Sequence, residues 1–121
     1  MSEEHIDHAV IKNLREVMEG GFDDLLDTFL SDSKERIDQL HSTRQVCDLR
    51  MVAHSLKGSS SNMGANRLAQ LCGQLEERAQ KESLVDIKEL VIKIGDEYLT
   101  VRQLYRAERQ RVIAASYVSG G

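Results

Sequence analysis

Apolar residues recur every three or four positions along almost the whole chain, the period of helices that bury one face. The first run, about Asp7 to Glu19, spaces Val10, Leu14 and Val17 this way, with Ile11 and Met18 beside them. Asp7 is a fitting N-cap, and Gly20-Gly21 marks the expected end. A second helix is predicted from about Phe22 to His41 on the stripe Phe22, Leu25, Leu26, Phe29, Leu30, Ile37 and Leu40. Asp23 and Asp24 suit its positive N-terminus, and the polar interval from Ser31 to Lys34 is where it would kink or stop. Ser42 to Cys47 reads as a loop, after which Asp48 should cap a third helix, DLRMVAHSLKGSSSNM. The serines at its end weaken helix propensity, and Gly64 permits a left-handed turn.

A fourth helix follows from about Ala65 to Lys81, carrying Leu68, Leu71, Cys72, Leu75 and Ala79. Ser83 with Asp86 resembles a capping box that opens a fifth. Its buried face would hold Leu84, Ile87, Leu90, Val91, Ile94, Tyr98, Val101 and Tyr105. Past Arg111 the periodicity is lost, so residues 1–111 are expected to form the domain and 112–121 a flexible tail. Short loops between amphipathic helices imply antiparallel neighbours. The predicted fold is all-α, an up-down four-helix bundle with an additional short N-terminal helix.

Composition narrows the class. The chain has 121 residues, no proline, 40% apolar and 30% charged residues, which fits one globular helical domain. A net charge of −4 argues against a general nucleic-acid binder. No apolar run approaches the roughly 20 residues of a membrane span. The acidic start MSEEHIDH has no apolar leader, and two cysteines make no disulfide framework, so a reduced, cytoplasmic protein is expected.

The third helix holds the candidate chemistry. At about 100° per residue, Leu49, Val52, Leu56 and Met63 share one side, with Ala53 and Ser60 beside them. His54 then points away from that stripe, among Arg50, Lys57, Gly58 and Ser61. A histidine on a helix is ordinarily a plain polar residue, so its surroundings must decide. A bundle metal site needs inward ligands at helical spacing, whereas His5, His8 and His41 lie in polar or terminal stretches. There is no nucleophile elbow for Ser-His-Asp hydrolysis and no Gly-rich phosphate loop.

The segment AHSLKGSSSNMGANRLAQLCGQLE, Ala53 to Glu76, resembles the signature of the histidine-containing phosphotransfer (HPt) domain. There a His, a Lys three later and a Gly four later precede a turn and a second helix. FDDLLDTFLSDSKERIDQL and EYLTVRQLYRAERQR are also similar to stand-alone bacterial HPt proteins of the HptB type. The resemblance implies the same helical bundle, and His54 as the residue phosphorylated by a phospho-aspartyl receiver domain. It also implies that Glu76, 22 positions after His54, accepts a hydrogen bond from the imidazole Nδ1–H and leaves Nε2 free.

The residue types suit that relay. An imidazole nitrogen is a good nucleophile and a good leaving group. Lys57, one turn from His54, can supply a cation to the transferring phosphoryl group. Gly58 costs about 1 kcal/mol of helix stability relative to alanine, which makes sense where a side chain would block a partner. Arg50 and Ser61 are further candidate docking contacts. The implied partners are receiver domains of a sensor kinase and of a response regulator. Those partners would supply the Mg²⁺, and this chain, expected to be monomeric, would need no cofactor of its own. The competing class is an adaptor that only binds or sequesters a receiver.

Overall fold

The computed structural model describes residues 5–81 and 84–120, the side chains of 84 and 110–120 excepted. It is helical throughout, with no strand among the described residues. Helix α1 (His8–Met18) passes through a 3₁₀ turn at Glu19–Gly21 into α2 (Phe22–Ser42). Then follow α3 (Val46–Asn62), α4 (Asn66–Arg78) and α5 (Leu84–Gly120). Each of α2, α3 and α4 packs on the next, and α5 closes the ring against α2. This is the four-helix bundle with a short N-terminal helix that the hydrophobic pattern predicts. No helix among the described residues is long and apolar enough to cross a membrane.

The stripes of α2, α4 and α5 meet in one core. Leu26, Leu56, Leu68, Leu75, Ile87, Ile94 and Val101 are all wholly or almost wholly buried. Each such side chain contributes about 1.5–3 kcal/mol relative to exposure. The polar interval in α2 does not break the helix. Ser33 turns inward and is buried, so a small side chain continues the stripe between Phe29 and Ile37. Tyr98 and Tyr105 lie in the core and send their hydroxyls to the Leu30 and Met63 carbonyls, tying α5 to α2 and to the end of α3.

Several boundaries differ from the sequence reading. The α1 stripe turns on Ile11, which is buried, while Val17 is exposed, because α1 covers one end of the bundle with only one edge. Asp7 caps it as expected, accepting from the Ala9 and Val10 amides. The helix ends at Glu19, whose φ is 49°, and the two glycines belong to the tight turn after it. The third helix starts earlier than predicted, with Gln45 as N-cap, so Asp48 sits in its first turn and complements the helix dipole there. The Ser83 start lies outside the described residues, as does the Leu84 side chain. Where the sequence predicts a loose tail from 112, the backbone of α5 runs on as helix to Gly120. A segment without proline has no local reason to stop the helix there.

The turn between α3 and α4 is the most constrained part of the backbone. Gly64 has φ 79°, its amide donates to the Ser61 carbonyl at 3.1 Å, and the Ala65 amide donates to the Ser60 carbonyl at 2.8 Å. These two bonds form a Schellman motif, which satisfies the last carbonyls of α3. The Gly64 carbonyl in turn accepts from the Asp7 amide at 2.7 Å, which seats α1 on the turn. A Cβ at Gly64 would lie 3.0 Å from Val10 Cβ and 3.2 Å from the Asp7 carbonyl oxygen. We therefore expect Gly64→Ala to destabilise the protein by about 1–3 kcal/mol. Urea unfolding should show this as a lower midpoint at unchanged slope. An unchanged midpoint would mean that the turn relaxes freely.

Candidate functional site

Helix α3 turns Leu49, Ala53, Leu56 and Ser60 inward, at steps of four, three and four residues. Val52 is only partly buried, so the inward direction is shifted from the one the sequence predicts. His54 consequently lies about 130° around the helix from the core, on the flank turned toward α4 rather than diametrically opposite. Its ring is 69% exposed.

The Schellman turn fixes which residue of α4 meets it. An antiparallel hairpin centred on Ala65 pairs positions whose numbers total 130, and His54 with Glu76 is such a pair. Lys57 with Gly73 and Arg50 with Gln80 are two more. His54 Nδ1–H donates to Glu76 Oε2 at 2.8 Å, and Lys57 Nζ donates to Glu76 Oε1, also at 2.8 Å. One carboxylate thus holds both the imidazole and the ammonium. Gly73 faces the Lys57 stem, where a Cβ would come within 3.4 Å of Lys57 Cδ.

The electrostatics follow from that geometry. The Lys57 hydrogen bond holds the Glu76 carboxyl below its ordinary value of 4.5, against partial burial and with help from His54. Glu76 is therefore an anion at neutral pH and can only accept. The proton it accepts must sit on Nδ1, so Nε2 carries the free lone pair. Cys72, buried next to Gly73, is pushed up to about 12 by burial, which the Lys57 charge only partly offsets. That thiol is inert at neutral pH.

The other predicted residues are placed as follows. Gly58 is exposed, and a Cβ there would meet nothing within 4 Å, so packing does not require glycine. Ser61 is exposed at the end of α3, its carbonyl used in the turn. Arg50 is turned toward α4, its guanidinium against the Gln80 amide when that amide is oriented to satisfy both groups. The sequence reading passed over Gly73, Gln80 and Arg36, whose Nε donates to Ser55 Oγ at 2.8 Å beside His54. Extending the hairpin register by one turn either side of His54 would have found the first two. Among the described residues, no group of three His, Cys, Asp or Glu side chains could hold a metal ion.

The model of the Hpt domain family matches residues 24–110. The chain is similar to the crystal structure of histidine-containing phosphotransfer protein B (HptB) from Pseudomonas aeruginosa PAO1. The TM-score is 0.82 at 42% identity, over 91% of this chain and 98% of that one. It is also similar to the maize histidine-containing phosphotransfer protein ZmHP2, with a TM-score of 0.79 at 19% identity, over 88% of this chain and 90% of that one. At that identity the likeness speaks for the fold alone. No curated protein matches the chain.

Glu76 gives a direct test of the shared-carboxylate geometry. Because its folded-state value is lowered, the contacts are complete above pH 4.5 and are lost only as the pH falls through the lowered value. A carboxyl ¹³C titration should place the Glu76 midpoint below 4.5. Lys57→Ala should move it up further than His54→Gln does, since the lysine is the larger cause. The reverse order would mean that the imidazole, not the ammonium, sets the charge of Glu76.

Proposed function

Since the chain belongs to the Hpt domain family, we propose that it is the phosphohistidine carrier of a phosphorelay, with His54 Nε2 as the acceptor atom. The observation that carries the assignment of the atom is the Nδ1–H bond to ionised Glu76 on an exposed ring. The Nε2 lone pair attacks the phosphorus of a receiver aspartyl phosphate. An N–P bond forms, the P–O bond to the aspartate breaks, and the aspartate leaves as a carboxylate. The product ring keeps its Nδ1 proton and is cationic, and Glu76 faces that charge. In the onward step the N–P bond breaks toward a second receiver aspartate, and the ring leaves as neutral imidazole rather than imidazolate.

Lys57 sits one carboxylate width from the reacting ring. Its flexible stem lets the ammonium exchange Glu76 for a phosphoryl oxygen as negative charge moves between partners. The partners are receiver domains, one of a sensor kinase and one of a response regulator, and the Mg²⁺ needed at the aspartate belongs to the receiver. Gly58, with Arg50 and Ser61 at its margins, forms the docking surface. The carrier acts in the cytoplasm and as a monomer in this reading. An adaptor that only sequestered receivers would have no use for a carboxylate that fixes the imidazole tautomer.

Three variants test the carrier. His54→Gln should abolish labelling by a purified phosphorylated receiver while the protein stays folded, and full labelling would move the acceptor elsewhere. Gly58→Glu should keep the bundle, because its side chain meets open space, yet slow transfer strongly through a clash and like-charge repulsion with the receiver's acidic pocket. Lys57→Ala should lower the single-turnover rate on the order of tenfold or more, with a smaller effect on receiver affinity. The opposite split would make Lys57 a docking residue.

Glu76 variants separate orientation from charge. In Glu76→Gln a hydrogen bond can persist, whereas Glu76→Ala leaves Nδ1 unheld. Donation from the phosphorylated protein should slow in both, and more in the alanine variant. The ¹⁵N shifts of His54 should report a protonated Nδ1 in the parent and a redistributed proton in Glu76→Ala. Identical shifts in all three proteins would show that Glu76 does not set the tautomer.

A further inference from the structure

The side of the bundle away from α3 and α4 carries a second concentration of charge. A groove of about 360 Å³ runs between α2 and α5, and none of its lining residues comes from α3 or α4. Lys34, Arg102, Arg106 and Arg109 line it, against the single carboxylate of Asp27. That is a local excess of cations in a chain whose net charge is −4. Two of the four are already neutralised. Arg109 pairs with Asp27 and Asp23, and Lys34 with Asp38 at 3.1 Å.

The other two are not. Arg106 is exposed and has no hydrogen-bond or ion-pair partner among the described residues. Arg102 lies over the Tyr98 ring at 5.9 Å, and its buried Nε has no acceptor among the described residues. The two arginines stand at i and i+4 on α5, so both rise from one helix face with Cβ atoms about 6 Å apart. Each guanidinium presents a planar fork that matches two oxygens of one phosphate. Ser31 adds a hydroxyl and Lys34 an ammonium at the opposite wall.

From this arrangement we propose that the α2–α5 groove is a binding site for a soluble polyphosphate of nucleoside-diphosphate size, separate from the His54 site. Two forks one helical turn apart suit two linked phosphate groups better than one. The volume is at the lower end of small-molecule sites, room for a diphosphate with a compact organic group. A ligand here leaves the exposed His54 ring on α3 open, so occupancy and phosphotransfer can coexist. The groove is recessed between two helices, which favours a free ligand over a lipid headgroup fixed in a membrane plane.

The test is an NMR titration of the full chain at constant ionic strength with pyrophosphate, and separately with ADP. Saturable shifts are expected at Ser31, Lys34, Arg102 and Arg106, with His54 and Lys57 unmoved. Arg106→Gln changes an exposed side chain and should weaken the dissociation constant about tenfold without altering phosphotransfer from a receiver. Lys93→Gln, the same charge change on an exposed residue of α5 outside the groove, should leave it unchanged. Arg102→Lys, which keeps the charge but not the fork, should also weaken binding. Shifts that never saturate, equal loss in Arg106→Gln and Lys93→Gln, or shifts centred on Lys57 would overturn the proposal. So would sedimentation with phosphatidylglycerol vesicles in the absence of any pyrophosphate binding.

Discussion

The Schellman turn at Gly64 sets the register of the whole functional face. Two backbone hydrogen bonds and one left-handed residue decide that α3 and α4 pair around Ala65. Every α3–α4 contact of the site follows from that centre. His54 meets Glu76, the Lys57 stem lies over Gly73, and Arg50 reaches Gln80. A slip of one residue would rotate the α4 partner by about 100°, replacing Glu76 with Leu75 or Glu77. The first of these is buried and the second is a solvent-facing residue near the Lys81 side chain. The same turn receives the N-terminal segment through the Asp7 amide, so α1 braces the hinge on which the site depends.

The shared carboxylate is an orienting device more than a stabilising one. His54 is 69% exposed and Lys57 40%, and pairs this open to water add little to folding free energy. What the contacts do is choose a tautomer. With Lys57 holding Glu76 ionised, the imidazole has one hydrogen-bonding arrangement that satisfies the carboxylate, and it leaves Nε2 outward. The lysine and the histidine also compete for one anion. Loss of either contact strengthens the claim of the other, so in the proposed relay a phosphoryl group that drew the ammonium away would leave the full carboxylate charge facing the cationic ring. An amide in place of Glu76 could accept the same hydrogen bond but could not follow that change in charge.

How much of this was legible in the sequence differs element by element. The buried stripes of α2, α4 and α5 were, because they are long and run at one period, although the unbroken run of α2 through residues 31–34 and the extension of α5 past Arg111 were not. The α3–α4 turn was also legible, since Gly64 follows a serine-rich helix end and no other residue tolerates its backbone as easily. Helix α1 was harder to read. It covers a bundle end, so Ile11 alone is buried and the regular spacing of Val10, Leu14 and Val17 is misleading. The cap of α3 was missed for a different reason: Gln45 makes no side-chain cap bond, and Asp48 offers a better cap chemistry three residues later. At the site, His54, Lys57 and Glu76 could be named from sequence. The bond from Lys57 to Glu76 could not, because helical phase gives direction but not the reach of a four-carbon stem.

The proposed relay between two receivers sets a further constraint on the relief around His54. A receiver aspartate would have to come within bonding distance of Nε2, so neighbouring side chains would have to stay below the ring. Ser55, Gly58 and Ser61 are all small and exposed, and Arg36 lies flat enough to bond the Ser55 hydroxyl. Exposed glycine inside a helix is unfavourable by about 1 kcal/mol, and nothing packs where its side chain would be. Stability therefore cannot explain Gly58, whereas low relief can. The stiffness that a low, open surface lacks comes from beneath it. Ala53 and Leu56 are fully buried on either side of His54 in the chain. In the proposed relay, His54 thus stands on a rigid helix face, while the exposed surface around it stays shallow enough to fit more than one receiver.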